Sequence, residues 1–116
     1  DESLVYDLDS PELNLGDTCE RGSQLRPHIV WFGEPVSNIE KAAGIVRQAD
    51  IFAIIGTSLV VYPAAGLVSF LKPEVPIFVI NPDTQHPEIG EQVTFIETGA
   101  GEGVRILTEK IRLYAK

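Results

Sequence analysis

Four short apolar runs stand out along a chain otherwise broken by polar and turn-forming residues: Ile29–Phe32, Ile51–Ile55, Ile77–Ile80 and Val93–Ile96. Each is rich in β-branched or aromatic residues, and most lack polar alternation. Strands buried on both faces read this way, and parallel sheets bury both faces. Helical signals lie between them. Ser37-Asn38-Ile39-Glu40 reads as a capping box, with Ser37 as N-cap and Glu40 three residues on. Ile39, Ala42, Ala43, Val46 and Ala49 follow at helical spacing and predict a helix to about Ala49. Pro63 suits the first turn of a second helix, where its missing N–H costs nothing, and that helix closes near Lys72-Pro73. A third is predicted from about Gly103 to Tyr114. Its inward stripe is Val104, Leu107, Ile111 and Tyr114, widened by Ile106 and Leu113. Residues 1–28 are interrupted by Asp7, Asp9, Ser10, Pro11, Asn14, Gly16, Asp17 and Gly22, and read as loop with one short strand near Leu4–Tyr6.

The predicted order is β-α-β-α-β, a loop, then β-α. That is an α/β domain, a parallel sheet with right-handed crossovers and helices on both faces. The chain divides at residue 28, with a polar loop region before it and the α/β region, 29–116, after it. Open sheets of this kind bind ligands beyond the carboxyl ends of their strands. The segments of interest are therefore 33–36, 56–62 and 81–90.

Composition narrows the partners. Across 116 residues, 17 Asp and Glu outweigh 9 Lys and Arg, a formal charge of −8. This excludes nucleic acid and anionic membrane as expected partners, since no basic patch is available to displace counterions. A lysine-rich tail would instead be attracted. The longest apolar runs fall far short of the ~20 residues of a membrane span. A single cysteine, Cys19, excludes an internal disulfide and fits a reducing compartment, so a cytoplasmic location is expected. The chain begins at Asp1 and contains no Met, which leads to the expectation that it is a piece of a longer protein.

Each strand-end segment carries two readings. Gly56-Thr57-Ser58 offers a close main-chain approach and two hydroxyls to a polar ligand, or it is an ordinary strand-to-helix turn. Asn81-Pro82-Asp83 has short polar side chains of the kind that bond ribose hydroxyls, but taken alone it reads as a turn. Gly99-Ala100-Gly101-Glu102-Gly103 exposes main chain that a flat ring could lie on, or is a flexible lead-in to the last helix. Trp31-Phe32-Gly33-Glu34 either lines a groove for an extended peptide or packs into the core.

Catalytic groups are scarce. His28 precedes the first strand and reads as structural or exposed; His86 sits in a Pro-flanked loop and reads as solvated. Cys19 has no second cysteine for chelation and reads as a structural thiol. No paired-carboxylate or Ser-His-Asp constellation can be assembled.

Read together, three segments resemble the sirtuins, the NAD-dependent protein lysine deacylases, and bacterial members in particular. Leu25 to Glu34 (LRPHIVWFGE) is similar to the family's LRPxVVWFGE, and Ile54 to Ala65 (IIGTSLVVYPAA) to its GTSxxVYPAA. Ile80-Asn81-Pro82-Asp83 is similar to its INxE strand end, with Asp in place of Glu. The resemblance covers residues 17–115 but only the C-terminal part of the family's fold. It implies a Rossmann-like three-layer domain, incomplete here, with residues 1–28 a remnant of the smaller module. It implies NAD as cofactor and an acyl-lysine protein or peptide as substrate. Gly56, Thr57 and Ser58 would contact the adenosine ribose and phosphate side of NAD. Asn81 would bond the ribose with Asp83 nearby, and Ala100 would lie against the adenine. Val30, Trp31, Phe32, Gly33 and Glu34 would form one wall of the peptide groove, and Val61 and Tyr62 would belong to the opposite one. The family's reaction would follow: the acyl oxygen attacks the ribose C1′, nicotinamide leaves, and the acyl group ends on ADP-ribose.

Three departures qualify the resemblance. The family's Gly-Ala-Gly phosphate loop is absent, as are its QNxD segment and the catalytic His that follows. No catalytic residue is therefore assigned in this segment, and the 116-residue chain alone is expected to be inactive. The family's zinc uses four cysteines, whereas only Cys19 is present and Glu20-Arg21-Gly22-Ser23 follows it, so zinc is not expected. A non-catalytic nucleotide-binding module, for FAD or NAD, is the alternative reading. Exposed sheet edges also predict self-association.

Overall fold

Three of the four apolar runs pair with one another. Phe52–Ile55 forms β1, Ile77–Ile80 forms β2 and Val93–Ile96 forms β3, all parallel in the order β1-β2-β3. The computed structural model describes residues 4–83, 89–90 and 92–112. Two units are separable: Asp1–Pro35 and Val36–Lys116. The expectations for His86, Leu113 and Tyr114 lie outside the described residues.

In the second unit, α1 spans Ile39–Val46, a 3₁₀ helix spans Ala64–Phe70 and α2 spans Ala100–Ile111. β2 is the centre of the sheet, and all four of its residues are buried. Period-two alternation splits them between two layers. Phe78 and Ile80 point to one face, where they pack with Ile96 and with Leu107 of α2. Ile77 and Val79 point to the other, where Ile54, Phe95 and the Val68 and Leu71 of the 3₁₀ segment cover them. Helical structure thus lies on both faces of a parallel sheet. α1 packs against the 3₁₀ helix, with the Arg47 guanidinium 4.6 Å from the Phe70 ring centroid.

Glycine sets the approach of α2. A Cβ built on Gly103 would lie 2.1 Å from Ile80 Cγ2, so α2 rests on β2 through bare backbone. The inward stripe is accordingly Gly103 and Leu107, flanked by Ile106 and Ile111; Val104 is exposed. β1 is only partly covered. On its α2 side, Ala53 and Ile55 are exposed.

Several element boundaries differ from expectation, each for a local reason. α1 starts after Asn38 rather than Ser37, no side chain caps it, and it ends at Val46. The second helix is 3₁₀ rather than α. Gly66, Val68 and Ser69 are weak helix formers, and the Ser69 hydroxyl donates to the Gly66 carbonyl at 2.7 Å. α2 begins at Ala100, so the glycine-rich lead-in is its first turn, closed by Gly103 N–H on Gly99 C=O at 2.9 Å.

The first unit contains no helix or strand among its described residues. Neither Leu4–Tyr6 nor Ile29–Phe32 is a strand. Among the described residues no strand takes up the Ile29–Phe32 backbone. Instead, Ile29 N–H bonds Pro27 C=O and Glu34 N–H bonds Trp31 C=O, which makes it a chain of turns. Within residues 14–25, Gln24 is the organising side chain. Its amide donates to the carbonyls of Asn14, Asp17 and Leu25, and its oxygen accepts from Gly16 N–H, all at 2.8–3.0 Å. Thr18 and Gln24 form an isolated antiparallel bridge.

Candidate functional site

The carboxyl ends of the strands are level because the sheet's hydrogen bonding continues one step past them. Gly56 N–H donates to Ile80 C=O at 2.9 Å, and Asn81 N–H to Ile96 C=O at 3.3 Å. Gly56 then turns the chain sharply with φ +65, a conformation that needs glycine. Thr57 follows, its hydroxyl accepting from Leu59 N–H at 3.2 Å, while Leu59 itself is held at φ +56. A non-glycine residue there is uncommon, which marks the turn as fixed by its surroundings. Thr57 and Ser58 are exposed.

Asn81 joins the first two turns. Its Nδ2 donates to the Thr57 carbonyl at 3.2 Å, and its Oδ1 accepts from Asp83 N–H at 3.1 Å. The third turn is brought in by packing. α2 starts directly beyond β3, and its Gly103 lies on Ile80, the residue before Asn81. Gly56, Thr57, Ser58, Asn81, Asp83 and Ala100 therefore cluster about one end of the sheet. This cluster presents hydroxyls, main-chain N–H groups and an amide beside the bare first turn of α2. Such a surface suits a sugar with a flat ring attached. Val61 and Tyr62, further along the same loop, are exposed, and the Tyr62 ring lies 3.5 Å from where a Gly66 Cβ would be.

The aromatic segment belongs to the first unit. Val30, Trp31 and Phe32 are exposed there, Phe32 by 93%, so core packing is not their role in this chain. Gly33 has φ +89, as the turn requires. Glu34 makes a two-pronged pair with Arg26 at 2.6 and 3.0 Å, and one of its oxygens also accepts from Trp31 N–H at 3.0 Å. Arg26 further donates to Ile29 C=O at 2.9 Å. The Arg26 bonds, then the Trp31 N–H, hold the Glu34 carboxyl down to about 2. Arg26, which holds Glu34 in this turn, is not among the residues expected from the sequence. The signal for it was a guanidinium eight positions before a carboxylate across a Pro- and Gly-punctuated stretch.

His28 is exposed. Cys19 is half-buried in a turn closed by Cys19 N–H on Ser23 C=O and Gly22 N–H on Cys19 C=O. Backbone hydrogen bonds from Arg21 and Ser23 hold its thiol below the ordinary value. Among the described residues no three His, Cys, Asp or Glu side chains converge as metal ligands. No described helix is long and apolar enough to cross a membrane.

Comparison with known proteins gives this geometry a family. The model of the Sir2 family matches residues 2–63. An NAD-dependent protein deacylase of Bacteroides thetaiotaomicron is 45% identical over 98 residues, covering 84% of this chain and 42% of the relative. One from Helicobacter pylori is 40% identical over 111 residues, covering 96% of this chain and 48% of the relative. The chain thus spans under half the length of these relatives. A crystal structure of a Sir2 homologue in complex with NAD superposes with a TM-score of 0.75 at 34% identity, over 96% of this chain and 45% of the other. The Sir2Tm structure bound to a propionylated peptide gives 0.63 at 29% identity, over 81% and 41%. With the sequence matched across the aromatic segment and the first strand-end turn, and the parallel sheet superposing on solved homologues, the chain belongs to the Sir2 family.

Proposed function

We propose that this chain supplies the adenosine side of an NAD site and part of the acyl-lysine peptide surface of a protein deacylase. The observation that carries the reading is the junction of Thr57 and Asn81, which brings two polar turns together where an open parallel sheet takes its ligand. The relatives are called NAD-dependent protein deacylases, and a solved homologue of 34% identity holds NAD. The residues fit that cofactor. Thr57 and Ser58 hydroxyls and Asn81 meet ribose oxygens, Asp83 lies beside them, and Gly56 and Ala100 carry no bulk against an incoming ring. NAD supplies the ribose carbon that takes the acyl group. This chain's residues bind and orient its far end, and none of them is a catalytic base.

Trp31, Phe32 and their neighbours Val30, Gly33 and Glu34 offer an apolar edge with main-chain polar groups, suited to an extended peptide. Val61 and Tyr62 offer a second apolar surface on the other unit. Zinc does not fit the donors of this chain, since one thiol cannot form a tetrahedral cysteine site. The acidic charge favours a lysine-bearing protein over nucleic acid, and the single cysteine fits the cytoplasm.

The test is a titration of the 15N-labelled chain with ADP-ribose, followed by an acyl-lysine peptide. Expected are millimolar-range shifts at Gly56, Thr57, Ser58, Asn81 and Ala100, then a change in the emission of Trp31, the single tryptophan. Nicotinamide release from NAD plus peptide should stay at background for the 116-residue chain. Absence of shifts at all of these turns overturns the reading. Nucleotide shifts without any response of Trp31 to acyl-lysine favour the alternative, a nucleotide-binding module without deacylation.

A further inference from the structure

Asn81 sits at the ligand end of the sheet, yet both ends of its amide already have partners in its own chain. Nδ2 reaches across from β2 to the Thr57 carbonyl on the β1 turn, and Oδ1 holds Asp83 N–H in a turn. An amide nitrogen has a second N–H and an amide oxygen a second lone pair, so a ligand contact remains open to it. In the β1 turn the Leu59 side chain packs against the Ile54, Ile77 and Val79 cluster, but the polar groups ahead of it have few partners outside the turn. Gly56 N–H is tied to Ile80, but the next residues leave the sheet, and Leu59 adopts a left-handed backbone that Leu does not favour. The internal bond from Leu59 N–H to Thr57 Oγ1 is local. The link to Asn81, 24 residues away in sequence, is the one described side-chain bond tying this turn to another element.

We infer that Asn81 is a positioning residue: by bonding the Thr57 carbonyl it fixes the Gly56-Thr57-Ser58 turn for the adenosine end of the cofactor. The inference rests on the nucleotide-site reading above but differs from a direct role for Asn81. Asparagine is suited to the clamp because it alone, among residues of its size, carries a donor for Thr57 and an acceptor for Asp83. Aspartate keeps the acceptor and loses the donor, placing a carboxylate oxygen against a carbonyl oxygen. As a ribose ligand, however, aspartate is fully competent, since acidic residues hold ribose hydroxyls in dinucleotide folds. The two roles therefore diverge in one substitution.

The experiment compares the chain with Asn81→Asp and Asn81→Ala, using adenosine as the probe so that phosphate repulsion plays no part. Without ligand, 15N order parameters of Ser58 and Leu59 should fall in both variants from rigid values of about 0.85 toward 0.6 or below. The β2 amides, at the buried centre of the sheet, should be unchanged and so report an intact fold. With adenosine, Asn81→Asp should bind about five- to tenfold more weakly, the worth of one hydrogen bond. Asn81→Asp binding as tightly as the parent, or Ser58 and Leu59 staying rigid in both variants, overturns the clamp. If the parent itself does not bind adenosine, the nucleotide reading fails, while the ligand-free order parameters still decide the clamp.

Discussion

The two units of this chain are held together by different physics. Every buried apolar residue among those described lies in the second unit, from Ala43 to Leu107. There two layers meet a central strand whose four side chains are shut away from water. The first unit has none. It is shaped by hydrogen bonds from side chains to main chain, Gln24 closing one loop and the Arg26–Glu34 pair another. A core of apolar contacts is insensitive to pH and tolerant of surface change. A shape made by exposed charge pairs and amides is cheaper in residues but gives each bond little net stability. The division matches the functions proposed for the two units. In that proposal the sheet would present turns at fixed spacing, and the lightly held segment would offer its exposed aromatic side chains to an extended peptide.

The largest expected effect tests the apolar side of the comparison. Phe78→Ala removes a ring that is 2% exposed at the centre of the sheet. It should destabilise the second unit by about 3–5 kcal/mol, seen as loss of the helical signal in chemical denaturation. A loss below about 1 kcal/mol would mean that apolar burial at the centre of the sheet is not what holds the second unit.

Gly103→Ala is the next step down. On an open helix this change stabilises by about 1 kcal/mol, because alanine is the better helix former. Here the added carbon meets Ile80 Cγ2 at 2.1 Å, so overpacking should reverse the sign and cost about 1–3 kcal/mol. A raised midpoint would mean that α2 does not sit on β2 through bare backbone.

That glycine shows where sequence reading succeeds and stops. The strands Ile77–Ile80 and Val93–Ile96 were legible to the residue because continuous β-branched runs have few other uses. The packing face of α2 was legible in part. Leu107 and Ile111 follow the apolar period, but Gly103 contributes by absence of a side chain, which no hydrophobic pattern records, and Val104 took its place in the expectation. Ile29–Phe32 misled for the opposite reason. Its composition is that of a strand, but a strand needs a partner for its backbone, and in this unit Pro27, Gly33 and the Glu34 carboxylate take that backbone into turns. For the candidate site, the polar strand-end residues were legible as types. The bond between Asn81 and Thr57 was not, since it joins residues far apart in sequence and depends on register between strands.

The smallest effect probes the first unit on its own terms. Glu34 has an ordinary carboxyl value of 4.5, and the Arg26 guanidinium and Trp31 N–H lower it to about 2 in the folded chain. A group depressed on folding contributes stability that is fully present above its unfolded value and is lost as pH falls through its folded value. The Arg26–Glu34 clasp should therefore be complete at neutral pH, weaken below about 4.5 and be gone near 2. Because the pair is exposed, the contribution is small and salt should reduce it. The direct measurement is the 13C titration of the Glu34 carboxyl, with Trp31 N–H as a second reporter. Arg26→Met removes the larger cause and leaves the Trp31 N–H, so the midpoint should move up toward 4.5 with little change in the β2 signals. A parent midpoint already near 4.5 would leave this segment without the clasp that distinguishes it from an unstructured loop. The exposed aromatics would then owe their arrangement to something other than the Arg26–Glu34 pair.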